Sequence, residues 1–130
     1  MKLMIKPLSV NEAWKGRRFK TDKYDHYRNL VLYALPRKMD IPDGPFCVAC
    51  RWGLSSKNAD TDNFLKPFID CLQIKYGFND KRIVQILAEK THVKKGEEFI
   101  EFKIYAPIDF DILEPHTDID IKNIPIQRQG

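Results

Sequence analysis

The chain has few cysteines, few histidines and no long apolar run, and each shortage removes a class of function. Its three cysteines, Cys47, Cys50 and Cys71, are an odd number and fit a reducing compartment rather than a disulfide scaffold. Cys47 and Cys50 have CxxC spacing, but they fall in a run that reads as a strand, where residues three apart point to opposite faces. They are therefore read as structural rather than as a metal or redox pair. The three histidines, His26, His92 and His116, show no metal-ligand spacing. No apolar stretch approaches the roughly 20 residues that span a bilayer. The N-terminal run MKLMIKPLSVNEAW lacks the apolar core of a secretory signal, so a cytoplasmic protein is expected. No internal repeat is visible.

What is present is a globular composition with a basic balance. The 130 residues are enough for one domain with a real core. A net charge of +4 points mildly to a polyanionic partner. Its distribution says more. Lys15, Arg17, Arg18, Lys20 and Lys23 crowd one segment, while Asp109, Asp111, Glu114, Asp118 and Asp120 load the C-terminal end. These are either two solvated charged patches or a phosphate-binding segment kept apart from an acidic tail.

The order of elements reads β-α-β-α-β-β, an α+β domain with two main helices packed against a small mixed sheet. A short strand is expected over Lys2–Lys6, stopped by Pro7, followed by an exposed loop over residues 8–20. Thr21 is a plausible N-cap for a helix in which Tyr24, Tyr27, Val31, Ala34 and Leu35 keep helical spacing, ended by Pro36. Phe46–Leu54 reads as a strand with Phe46, Val48, Cys50 and Trp52 on one face. A second helix should run to about Tyr76 and stop at Gly77, with Pro67 either in its first turn or at a kink. Arg82–Val93 and Glu98–Tyr105 read as an antiparallel hairpin turned by Lys94, Lys95 and Gly96. The domain is expected over residues 1–107, with an irregular acidic tail over 108–130.

The sharpest signal is Asp60-Thr61-Asp62-Asn63-Phe64-Leu65-Lys66, followed beyond a helix by Asp80. Clustered carboxylates bind hard divalent cations through oxygen. A lysine beside such a metal stabilises a phosphate or a developing negative charge. Asp62, Lys66 and Asp70 are spaced i, i+4, i+8 and would share a polar helix stripe. If the strands flanking this helix are neighbours, Asp80 would return to the region of Asp60 and Asp62. The plainer alternative is that Asp62 or Asn63 caps the helix and Lys66 pairs with Asp70 at the surface.

The stretch DTDNFLKPFIDCLQIKYGFNDKRI resembles the signature of the RusA-type Holliday junction resolvases, as does the earlier Pro-Leu-Ser-Val-Asn with the basic segment after it. The resemblance implies a homodimeric, Mg²⁺-dependent endonuclease of recombination and repair, with Mn²⁺ as a substitute. Such an enzyme makes paired cuts in four-way DNA junctions. It would sit in the cytoplasm of a bacterium, prophage host or phage-infected cell. By position, Asp60, Asp62 and Asp80 look like the family's metal-binding carboxylates and Lys66 like its catalytic lysine. Asp70 and Asn79 look like supporting residues, Asn79 standing where the family often has an aspartate. Lys15, Arg17, Arg18 and Lys20 are the expected DNA-backbone contacts, with Trp14, Phe19 and Tyr24 as candidates for stacking on bases. Two other readings stay open: a nuclease acting on forks or flaps, and a non-catalytic module that binds branched DNA.

Overall fold

The computed structural model describes residues 1–16 and 19–109. Arg17, Arg18 and the acidic tail from residue 110 onward lie outside the described residues. The elements are β1 (Lys2–Leu3), α1 (Val10–Ala13), β2 (Trp14–Lys15), β3 (Phe19–Lys20), α2 (Asp22–Ala34), β4 (Phe46–Leu54), α3 (Leu65–Tyr76), β5 (Ile83–His92) and β6 (Phe99–Tyr105). This is the expected α+β class: a mixed sheet with two main helices.

The sheet is ordered β1-β6-β4-β5. Strand β4 is its organising element because alternate residues serve two environments. Phe46, Val48, Cys50 and Trp52 are buried on the helix side. There Trp52 meets Phe68 edge-on at 5.9 Å, Phe68 meets Phe102 at 5.1 Å, and Phe46 meets Phe78 at 5.1 Å. On the opposite face Arg51 sits between Glu89 of β5 and Glu101 of β6, its cross-strand neighbours, and bonds both. Gly53 is required where it stands, because a Cβ there would run into the ring of Phe99.

Helix α2 is set by local chemistry. Thr21 Oγ1 accepts from the Tyr24 N–H, while Asp22 and Asp25 occupy the favourable first turn. Tyr24, Tyr27 and Val31 form its buried stripe. Helix α3 ends at Gly77, which adopts φ 73° as a left-handed cap. Pro67 causes no kink: it is the third residue of α3, within the turn whose N–H groups lack intrahelical partners. Two bonds tie α3 to the end of α2, Lys75 Nζ to the Leu32 carbonyl at 2.9 Å and Tyr76 Oη to the Pro36 carbonyl at 2.7 Å.

Three expectations are corrected. Strand β1 is only Lys2–Leu3. Residues 8–20 are not simply a loop: Ser9 caps the short helix α1, and Trp14–Lys15 pairs with Phe19–Lys20 as a two-stranded ribbon. The third concerns pairing. Lys94 and Gly96 do make a turn, with the Glu97 N–H bonded to the Lys94 carbonyl at 2.9 Å. Yet β5 and β6 do not pair with each other, because β4 lies between them, parallel to β5 and antiparallel to β6. The hydrophobic strand inserted from earlier in the chain buries more than a two-stranded hairpin would.

The three cysteines are free and buried. Cys47 and Cys50 pair across from Tyr105 and Phe102 on opposite faces of the sheet, as strand alternation requires. Burial pushes the Cys50 and Cys71 thiols up to about 12, which makes them poor nucleophiles.

Tyr27 has a buried hydroxyl without a hydrogen-bond partner among the described residues. An orphaned polar group of this kind costs about 1–3 kcal/mol. Tyr27→Phe is therefore expected to leave the melting temperature unchanged or raise it. A fall of more than about 4 °C in a thermal scan, equivalent to about 1 kcal/mol, would show that the hydroxyl has a partner.

Candidate active site

The acidic segment follows β4 and is fastened to the sheet at two points. The indole N–H of the buried Trp52 donates to the Thr61 carbonyl at 2.8 Å, and Lys90 Nζ of β5 donates to the Ala59 carbonyl at 2.6 Å. Thr61–Phe64 is a single 3-10 turn that feeds directly into α3. Phe64 is buried against Trp52, with ring centroids 5.9 Å apart. The turn is thus held by an apolar anchor and a backbone clamp, and its polar residues are left to face solvent.

Asp60 and Asp62 are exposed. Asp60 stands at the N-cap of the 3-10 turn but makes no side-chain cap bond. Phe64, the N-cap of helix α3, gives that helix no side-chain cap bond either. Among the described residues, neither carboxylate takes part in a hydrogen bond or an ion pair. The capping alternative is therefore not what these residues do. The Lys66–Asp70 pair does form, with Lys66 Nζ 4.0 Å from Asp70 Oδ1 and the lysine side chain 62% exposed. An ion pair this long and this exposed contributes little to stability.

A second cluster adjoins Lys66. Trp14 of the ribbon lies under two ammonium groups, with Lys20 Nζ 5.4 Å and Lys66 Nζ 5.9 Å from its ring centroid. Lys20 also donates to Tyr24 Oη at 3.3 Å. Trp14, Lys20, Lys66, Asp70, Gln73 and Ile74 line an open concavity of about 450 Å³. Burial raises the Asp70 carboxyl above its ordinary range, Lys66 and Lys20 oppose that rise, and Asp80 adds to it. Lys15 and Lys20 are exposed on the ribbon, paired across it with Phe19 and Trp14. Of the aromatic candidates, Phe19 is 70% exposed and Trp14 half-buried, whereas Tyr24 is wholly buried in the core and unavailable to DNA bases. Arg17 and Arg18 lie outside the described residues.

Asp80 is elsewhere. The strands flanking α3 are neighbours, but they are parallel, with Phe46 opposite Ile83 and Leu54 opposite His92. Asp60 therefore follows the C-terminal end of β4, while Asp80 precedes the end of β5 that lies beside Phe46. The length of α3, roughly 18 Å at 1.5 Å per residue, separates the two ends. Arg82 fixes the Asp80 turn at that far end by donating to the carbonyls of Gly44 and Pro42. Asn79 is a cap, its side chain accepting from the Lys81 N–H at 2.9 Å. Consistent with this layout, no group of three Asp, Glu, His or Cys among the described residues gathers closely enough to hold a metal ion.

Sequence reasoning missed Trp52, Lys90 and Arg82 as the residues that place the acids. The indole of Trp52 was the available signal, since a buried Trp N–H seeks a partner at the edge of the core.

The family model of endodeoxyribonuclease RusA matches residues 6–105, most of the chain, and the chain belongs to that family. It is an endodeoxyribonuclease. RusA nucleases depend on divalent metal, act on branched DNA as Holliday junction resolving enzymes, and are found in bacteria and phages. Comparison with curated proteins gives no match. No helix among the described residues is long and apolar enough to cross a membrane.

Each phosphate contact contributes about 0.9 to the slope of log K against log salt. The double substitution Lys15→Ala/Lys20→Ala is expected to weaken junction binding at low salt and to flatten that slope by about 2. A titration at several salt concentrations in which slope and affinity both stay at wild-type values would remove the ribbon from the DNA interface.

Proposed function

We propose that this chain is a Mg²⁺-dependent endonuclease that resolves four-way DNA junctions during recombination and repair in the cytoplasm, and that its metal site is shared between two copies. The observation behind this reading is the placement of the carboxylates. Asp60 and Asp62 are two unpaired oxygen donors beside Lys66, on a turn held rigidly to the sheet, while Asp80 stands at the far end of the same parallel unit. One copy supplies two of the three acids at one end and the third at the other.

A two-fold axis perpendicular to the strands completes the set. It reverses the second copy, so that each end of the pair carries one Asp60–Asp62 turn and one Asp80 turn. Strand β5 is the open edge of the sheet, and Val84, Ile86 and Leu87 on it are 55%, 46% and 50% exposed. Among the described residues no strand pairs with the outer side of β5, where the Gln85 side chain bonds the Ile108 backbone, and a long edge of this kind is a ready pairing surface. Antiparallel pairing of two β5 edges sets each Asp80 turn near the other copy's acidic turn, and buries these side chains.

The donor set suits the ion. Exposed carboxylates free of internal partners are the oxygen ligands that Mg²⁺ and Mn²⁺ prefer. Bound there, the ion supplies Lewis acidity and an activated water for phosphodiester hydrolysis. The chain's own groups do the rest. Lys66, mostly exposed and near the acids, neutralises charge on the scissile phosphate as it builds. Asp70 lies 4.0 Å from the Lys66 ammonium on the α3 face and biases it weakly toward that side. The Trp14 ring lies under Lys66 and Lys20 and keeps both cations on the side from which DNA approaches. Two such sites on a two-fold dimer match the approximate two-fold symmetry of a four-way junction.

Asp62→Asn and Asp80→Asn are each expected to cut a labelled junction at least about a hundredfold more slowly than wild type, since even residues that only support metal ligands cost 10–100-fold. The informative experiment mixes the two inactive proteins. If the site is shared, each mixed dimer holds one intact site, and an equal mixture recovers about a quarter of wild-type cleavage. No recovery after exchange at high protein concentration would place all three acids within one copy.

A further inference from the structure

The chain forms a second polar concavity, of about 420 Å³, lined in part by Asp60 and not by Lys66. It lies between the N-terminal end of α1 and the β4–α3 connection. Its walls carry the amides of Asn11, Asn58 and Asn63 and the hydroxyl of Ser56, with Phe64 and Leu54 behind them. Asp60 and Asn63 belong both to this pocket and to the acidic turn, so whatever fills it lies next to the metal-binding carboxylates.

The chemistry of the walls selects the occupant. None of the three amide side chains is hydrogen-bonded within the described protein: Asn11, Asn58 and Asn63 form bonds only through their backbone N–H groups, to Ser9 Oγ, Ser56 Oγ and the Asp60 carbonyl. The two glutamates at the rim are already engaged. Glu12 pairs with Lys23 at 3.4 Å, and Glu98 accepts from Ser55 Oγ at 2.8 Å and from the Gly96 N–H at 2.7 Å. Lys6 is the one cation among the lining residues. A phosphate would call for more positive charge than this. Three free amides and a hydroxyl, each able to donate and accept, suit the edge of a nucleobase.

We propose that this pocket receives an unpaired nucleobase next to the scissile phosphate and reads its edge through Asn11, Asn58 and Asn63, so that it sets the sequence preference of cleavage. The inference rests on the nuclease reading above. A base at a branch point is already weakly stacked and paired, so drawing it out costs less than from continuous duplex. The site therefore couples branch structure to base identity: only an unpaired base reaches the pocket, and only a matching edge satisfies the amides. An unmatched base covers these amides and strips them of water without bonding them, which is where discrimination comes from.

The test uses the full-length protein with Mg²⁺ and immobile four-way junctions in which the base pair beside the exchange point is varied through all four choices. Wild type is expected to cut the best and worst junctions at rates differing by about tenfold or more, the range of one good amide–base pair. In Asn58→Ala and in Asn11→Ala/Asn58→Ala the spread collapses to within about twofold. A spread that survives in both variants, or that is absent in wild type, overturns the proposal. A variant that folds with a wild-type thermal midpoint but no longer cuts is read with 2-aminopurine at the same position. A rise in emission on binding wild type that is lost in the variant supports the pocket, and an equal rise in both overturns it. Failure of wild type to cut any junction with Mg²⁺ or Mn²⁺ would remove the nuclease reading and this inference together, whereas cleavage without base preference removes the inference alone.

Discussion

The indole N–H of Trp52 joins two parts of the molecule with opposite requirements. Its ring belongs to the core, packed against Phe64 and Phe68 on the helix side of the sheet. Its nitrogen holds the Thr61 carbonyl, and with it the turn between Asp60 and Asp62. Both carboxylates stand in water, free of internal partners among the described residues. A turn satisfying those conditions by itself would be floppy. Anchoring its backbone through a fully buried ring supplies rigidity from below and leaves both acids exposed above. Removing such a ring costs about 3–5 kcal/mol of stability, so the sheet's core and the position of the acids stand or fall together.

Electrostatics around the site follow from the same division. Lys66 and Lys20 share the Trp14 ring, and Asp70 lies beneath them, half-buried. Opposite charges are thus separated into a layer of cations facing outward and a carboxylate set behind them. A polyanion approaching this surface meets the exposed ammonium groups of Lys15, Lys20 and Lys66 and the half-buried Asp70. Asp60 and Asp62 stay exposed, with no lysine paired to either carboxylate among the described residues.

Much of this was legible in the amino-acid order, where the determinants are local. Thr21 and Pro36 bound α2, Gly77 ends α3, and the alternation from Phe46 to Trp52 marks β4. The motif from Asp60 to Lys66 was sufficient to suggest the family, and the family match over residues 6–105 agrees with that. What could not be read was long-range pairing. Lys94-Lys95-Gly96 is a sound turn signal, and nothing between residues 82 and 105 says that β4 intervenes. The position of Asp80 failed for a related reason. Its distance from Asp62 along the chain fits either end of α3, and only the parallel direction of β4 and β5 decides between them. Trp14 was visible as an aromatic among lysines, but its place beneath Lys66 depends on a ribbon of two residues per strand, too short to carry a pattern.

The parallel crossover has a consequence in reaction order. If the site is shared as proposed, a chain that carries Asp60 and Asp62 at one end of α3 and Asp80 at the other is half a catalyst wherever it stands alone. With a shared site, the rate at low protein concentration rises with the square of that concentration, and a single copy held on DNA by its lysines remains harmless to the duplex. Cutting then becomes a property of encounter between copies. A junction, with two equivalent faces, is the DNA structure best suited to bring two copies together.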